Sequence, residues 1–143
     1  MEVQRFLLKP DQRDVLRFEQ KAGMLRNILT PAVPALAASH AETLCTEVLA
    51  GAGLSRADIR GWVLHPGGRD VLLALRQKLN LNQQDLRWSE QVLREFGNVS
   101  SSSVFFVLQA ALADSAPDGY WWMSSFGAGF SCHGALLEVG GGK

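Results

Sequence analysis

The spacing of apolar residues changes several times along the chain, and each change marks an element. After Pro10, residues 11–20 read as a short helix ending near Gly23, and residues 24–29 as a strand. Pro31 and Pro34 lead into a helix over 35–50. In it Ala37, Ala41, Leu44 and Val48 recur at helical spacing, and Gly51 and Gly53 end it. Residues 61–64 form a short apolar run of the buried-strand kind. His65-Pro66-Gly67-Gly68 then turns the chain, since a prolyl ring and two glycines cannot continue a strand. Residues 69–80 put Val71, Leu72, Leu75 and Leu79 on one helical face and Arg76, Gln77 and Lys78 on the other. A further short helix follows over 89–96. Gly97-Asn98 opens another, with its first turn at 100–103 and a body over 104–113 that is apolar on every side except at Gln109. That pattern predicts a helix buried between two layers, and one too short to span a bilayer. Two strands over 120–126 and 130–139, joined across Gly127-Ala128-Gly129, close the chain as a hairpin. This order predicts an α/β layered domain with a mixed sheet that ends in an antiparallel hairpin.

Composition narrows the function. The 143 residues carry 14 basic and 14 acidic side chains and are 47% hydrophobic, which suits one domain with a real core and excludes disorder. Zero net charge removes the electrostatic footprint of a nucleic-acid binder or a polybasic membrane binder. No apolar run approaches the ~20 residues of a membrane span, and Met1-Glu2-Val3-Gln4-Arg5 is not the start of a secretory signal. Cys45 and Cys132, far apart in sequence, make neither a disulfide framework nor a metal site. The expectation is a soluble, cytoplasmic single domain over 1–143, with 140–143 as a flexible tail. Charge is uneven: between Gly97 and Gly142 there is no Lys or Arg, and only Asp114, Asp118 and Glu138 are charged. Such a stretch reads as interior, or as a surface that something else covers.

Two turns hold the candidate chemistry. His65 follows a buried strand, at the carboxyl end where open α/β sheets place their ligand crevices, and the glycines behind it admit a ligand close to the backbone. On position alone it reads first as a turn histidine with no role. Asn98 reads as the N-cap of a Ser-rich first turn. Alternatively, a helix N-terminus with an Asn amide and a neutral imidazole would suit a thioester oxygen as it gains charge. Cys45 reads as a buried structural thiol and His40 as packing. Cys132 and His133, adjacent in a strand, point to opposite faces and form no dyad. Trp121 and Trp122 put one indole on each face of theirs. The serines at 100–103 lack a Walker pattern, and all but the first one or two read as helix-start residues.

Trp62-Val63-Leu64-His65-Pro66-Gly67-Gly68, then Phe96-Gly97-Asn98-Val99-Ser100-Ser101, then Phe126-Gly127-Ala128-Gly129, resembles the carboxyl half of a chalcone/stilbene synthase-type (type III) polyketide synthase, over roughly residues 24–139. Related ketoacyl synthase III-like enzymes carry His-Gln-Ala-Asn at the first turn and Asn-Thr-Ser at the second. The resemblance implies one half of a thiolase-type fold and a Cys-His-Asn triad in which His65 and Asn98 match the histidine and asparagine. In that family the pair holds the thioester carbonyl of malonyl-CoA during decarboxylation and stabilises the enolate, and the histidine supports the cysteine thiolate. Ser100 matches a pocket-lining serine, and Phe126, Gly127 and Gly129 match a Gly-Phe-Gly-Pro-Gly loop that shapes the cyclisation cavity. The sequence departs from that loop with Ser125 for the first glycine and Ala128 for the proline. Gly67 and Gly68 fall in the matched turn; the basic residues that grip CoA phosphates in the family lie mostly in its other half, which leaves Arg69 as the one candidate entrance contact here.

By the same resemblance the nucleophilic cysteine belongs to an amino-terminal half, and neither Cys45 nor Cys132 aligns with it. The chain is thus expected to be the carboxyl half of an acyltransferase that condenses malonyl-CoA onto an acyl-CoA starter. It would need no cofactor beyond these CoA thioester substrates, act with an amino-terminal half, and be inactive alone. A homodimer is expected, a second copy covering the apolar helix over 104–113. The alternatives are a non-catalytic assembly domain of the same fold, or a fragment of a ketoacyl synthase III-like fatty acid condensing enzyme.

Overall fold

Strand alternation, not helical spacing, governs the start of the chain. The computed structural model describes residues 3–140, so all of the expected tail at 140–143 except Gly140 lies outside the described residues. Val3–Leu8 is strand β1, Pro10–Gln12 a single 3-10 turn and Leu16–Lys21 strand β2, where the sequence predicts a helix over 11–20. Pro10 and Asp11 do start a helical turn, but Leu16 and Phe18 alternate with polar residues and commit the chain to a strand. Ala22 and Gly23, at φ 53° and 77°, turn it back into β3, Met24–Leu29. Lys21 faces Met24 across this two-residue turn. Both central residues at positive φ make it the primed type that matches strand twist.

The remaining elements follow the predicted order. Helix α1 spans Val33–Ala52, longer than predicted by two residues at each end, and stops at Gly53 in the left-handed conformation. Strand β4 is Ile59–Leu64 and α2 is Arg69–Leu79, with Val71, Leu72, Leu75 and Leu79 all buried as predicted. Each such side chain contributes about 1.5–3 kcal/mol by leaving water. Helix α3 covers Arg87–Phe96 and α4 covers Ser103–Ala113, followed by β5, Gly119–Gly127, and β6, Ser131–Val139. The helix predicted to begin at Ser100 begins at Ser103. Ser100 sits at φ 71°, outside helical geometry.

The main sheet runs β1-β6-β5-β4, with β4 parallel to β5 and the other pairs antiparallel, which is the predicted mixed sheet. The β2–β3 hairpin stands apart as a second, two-stranded sheet. One face of the main sheet packs on α1 and α2 through Leu64, Trp122, Cys132 and Leu136. The other packs on α3 and α4 through Val63, Trp121, Trp88 and Val107. Trp121 and Trp122 are both fully buried, one in each layer. Helix α4 departs from prediction: it is covered on one side only, with Val104, Val107 and Ala111 buried while Phe105, Phe106 and Leu112 are exposed. Among the described residues no helix is long and apolar enough to cross a membrane.

Candidate active site

The carboxyl end of β4 delivers His65 to the edge of the sheet. Its backbone N–H donates to the Ser124 carbonyl on β5 (2.9 Å), and Ser89 Oγ on α3 donates to the carbonyl of the preceding Leu64 (2.8 Å). These two bonds fix the strand end on both sides. The imidazole is 2% exposed and stands edge-on to Phe126, 4.6 Å between centroids. Its Nδ1 is enclosed, with no hydrogen-bond partner among the described residues. Burial without a charged partner pushes its pKa down to about 4, so the ring is neutral at physiological pH and carries one N–H donor.

Gly67 fits where no side chain would. A Cβ there would lie 2.6 Å from Phe126 Cζ and 3.2 Å from the His65 ring. The open turn brings the Gly67 carbonyl within reach of Asn98, whose Nδ2 donates to it (3.1 Å). Asn98 Oδ1 accepts from the Ser100 N–H (2.9 Å), an Asx turn. Asn98 therefore does not cap α4, as the sequence suggests. It ties the loop before α4 to the turn after β4, and its second amide hydrogen has no partner among the described residues. The later serines serve the helix start: Ser103 Oγ accepts from the Val99 N–H (3.0 Å) and Ser102 Oγ donates to the Val99 carbonyl (3.0 Å).

His65, Asn98, Ser100, Phe126 and Gly127 line one cavity of about 30 Å³. Five residues of the predicted site thus come together from three separate segments, with Gly67 directly behind them. Gly68 and the exposed Arg69 lie at the start of α2, and Gly129 lies behind the loop, its N–H on the Leu16 carbonyl (2.9 Å). None of these three lines the cavity. Its far wall is one that sequence reasoning missed: Leu16, Phe18, Asn27 and Leu29 of the β2–β3 hairpin. Leu16 faces Leu29 and Phe18 faces Asn27 in register, a pairing that a helical reading of 11–20 conceals.

A larger groove of about 810 Å³ runs between α4 and strands β1, β5 and β6, past Arg5, Phe105, Leu108, Met123 and His133. Ser101 and Gly127 border both it and the cavity, so the two adjoin. The cysteines take no part in either. Cys45 and Cys132 are buried, and burial raises their thiols to about 11 and about 12. His133 points away from Cys132, to the exposed face of β6, as predicted. No group of three His, Cys, Asp or Glu able to hold a metal occurs among the described residues.

Comparison with known proteins places this arrangement. Residues 1–140 match the chalcone and stilbene synthase C-terminal domain family. The 3,5-dihydroxyphenylacetyl-CoA synthase of Streptomyces toyocaensis is 34% identical over 133 residues, 90% of this chain and 34% of that enzyme. The enzyme of the same name from Amycolatopsis orientalis is 34% identical over 132 residues, 90% of this chain and 36% of its own length. Among solved structures, PKS-I of the brown alga Ectocarpus siliculosus superposes with a TM-score of 0.82 at 29% identity, covering 96% of this chain and 38% of that one. The 1,3,6,8-tetrahydroxynaphthalene synthase of Streptomyces coelicolor A3(2), a bacterial type III polyketide synthase, shares the fold with a TM-score of 0.87 at 22% identity, over 98% of this chain and 40% of that one. The chain spans roughly a third of the length of the curated relatives it matches. It belongs to the chalcone and stilbene synthase family, as a C-terminal domain of type III polyketide synthase-like enzymes with a thiolase-type fold.

Proposed function

We propose that this chain supplies the histidine and asparagine of a condensing acyltransferase that decarboxylates malonyl-CoA and adds the product to an acyl-CoA starter. The observation that carries this is the meeting of His65 and Asn98 at one cavity, the first a neutral imidazole and the second an amide with one hydrogen that no group among the described residues occupies. A malonyl thioester oxygen seated between them would accept from both. When the bond to the carboxylate breaks, carbon dioxide leaves and the electron pair passes into the thioester enolate, whose charge the two donors oppose. The enolate carbon then attacks a second acyl thioester and releases its sulfur as thiolate. The relatives named as 3,5-dihydroxyphenylacetyl-CoA synthases make a CoA thioester by name, which favours CoA-bound acyl groups here.

The nucleophile in this reading comes from outside the 143 residues. Thiols held at about 11 and about 12 in the core are essentially un-ionised near neutrality and sealed from substrate. The groove beside α4 adjoins the cavity at Ser101 and Gly127. A segment seated there would end next to His65, where a cysteine is required, and its thiolate would raise the imidazole from its depressed pKa into a stable ion pair. The chain alone is then inactive, and mixing it with the amino-terminal portion of such an enzyme restores activity. The test is release of labelled carbon dioxide from malonyl-CoA by the assembled enzyme. His65→Gln and Asn98→Ala should each slow it by roughly 10²–10³, the usual effect of removing one such donor. Unchanged rates would leave both residues structural and favour a non-catalytic assembly domain. Dependence on acyl carrier protein in place of CoA would favour a fatty acid condensing step.

A further inference from the structure

The end of β5 and the loop after it form one edge of the His65 cavity through Phe126, Gly127 and Ala128, yet the loop holds a conformation its own residues do not favour. Phe130, at its end, sits at φ 50°. A bulky aromatic residue rarely takes this left-handed backbone, and it persists only where the surroundings over-determine it. Here they do. The Phe130 side chain is fully buried, its carbonyl accepts from the Lys9 N–H (3.2 Å), and the Gly129 N–H donates to the Leu16 carbonyl (2.9 Å). The ring rests edge-on against His40 of α1, 5.2 Å between centroids.

His40 is the polar member of an otherwise apolar stripe of Ala37, Ala41, Leu44 and Val48. An aliphatic side chain would fill that place without the need for a partner. The imidazole has one: its Nε2–H donates to Gln12 Oε1 (2.8 Å), at the end of the 3-10 turn between β1 and β2. A single buried ring therefore joins α1, the turn that leads into the hairpin wall at Leu16, and the loop that carries the opposite wall. We propose that His40 is a positioning residue which, bonded to Gln12 and packed against Phe130, locks the β5–β6 loop in its left-handed turn and so sets where the cavity wall at Phe126–Ala128 stands. The inference deepens the functional reading above and rests on it for its consequence, namely which acyl groups the cavity admits.

Amide hydrogen exchange and imidazole resonances of the full 143-residue chain test it. In His40→Ala the Gly129 and Lys9 amides should exchange about tenfold faster, the change that losing one bond of ordinary net worth makes in a local opening. The His65 ring signals should shift, because Phe126 stands edge-on to that ring. The Leu54 and Leu81 amides, bonded to Leu49 and Arg76 at the ends of α1 and α2, should keep their wild-type rates. Gln12→Ala, at a half-buried surface position, should act in the same direction and less strongly. Wild-type exchange at Gly129 and Lys9 with unmoved His65 signals in both variants overturns the proposal. So does equal acceleration at Leu54 and Leu81, which would make His40 a core residue and nothing more. Neither readout depends on catalysis, so the outcome is separate from that of the decarboxylation assay.

Discussion

His65 combines a buried, neutral imidazole with an unsatisfied Nδ1, and its burial carries a pH signature. In the unfolded chain its pKa returns to 6.5, whereas burial holds it at about 4 in the folded chain. Above 6.5 both states are neutral and the group adds no pH dependence. As the pH falls from 6.5 towards 4 the unfolded chain takes up the proton and the folded chain does not, so stability drops and then levels off. The full loss is on the order of 3 kcal/mol. Urea unfolding at pH 7.5, 5.5 and 4.5 should therefore show a steeper decline for the wild type than for His65→Gln, and parallel declines would mean that the ring is not held neutral. Beside it, Gly67→Ala places a methyl group 2.6 Å from Phe126 Cζ. Overpacking of this kind costs roughly 1–3 kcal/mol. A lower urea midpoint together with displaced His65 ring signals is expected, and a wild-type midpoint would show that Phe126 swings aside freely.

At the scale of elements, the β2–β3 hairpin is the part whose local chemistry agrees least with its structure. Ala22 sits at φ 53° in a turn whose first central position favours asparagine, whose amide bonds locally, and an alanine pays roughly 1–2 kcal/mol there. Ala22→Asn should recover a few tenths to about 1 kcal/mol, read as a raised midpoint for thermal unfolding. No gain would mean that the turn relaxes in solution. The same residues explain what the sequence conceals. Gly23 satisfies a helix stop as well as a hairpin turn, because both need positive φ. Pro10-Asp11 is a helix start that runs for one turn only. β1 is an edge strand with Arg5, Phe6 and Leu8 all exposed, so no buried alternation announces it. The helices α1 and α2 and the strand β4 are legible because each has one face, or both, fixed by the core. In the candidate site the His65 and Asn98 turns are legible from their own few residues. The wall of Leu16, Phe18, Asn27 and Leu29 is not, since it exists only once a distant hairpin folds over them.

Across the whole molecule the layers do not close. Helix α4 lays Val104, Val107 and Ala111 on the sheet and leaves Phe105 63% exposed, with Phe106 stacked on the exposed Phe96 beside it. The uniform apolarity that predicts a helix between two layers is therefore half satisfied among the described residues. Contiguous exposed aromatic residues are costly in water and mark surfaces that bind. From Gly97 to Gly142 no lysine or arginine occurs, so α4 itself brings no basic charge to a second copy of the same face. The chain by itself should therefore form a homodimer through α4, seen by sedimentation velocity at micromolar concentration. Phe105→Ser, which removes the more exposed of the helix's two rings without disturbing its buried side, should shift that species towards monomer. A wild-type monomer throughout the micromolar range would count against the face being adhesive at all. Adding the amino-terminal portion of a type III synthase should displace the second copy, because the groove that adjoins the His65 cavity runs along the same helix. Dimer dissociation and the onset of malonyl-CoA decarboxylation should then rise together as that portion is titrated in. A homodimer that survives saturation while activity appears would place the two partners on different faces and separate assembly from catalysis.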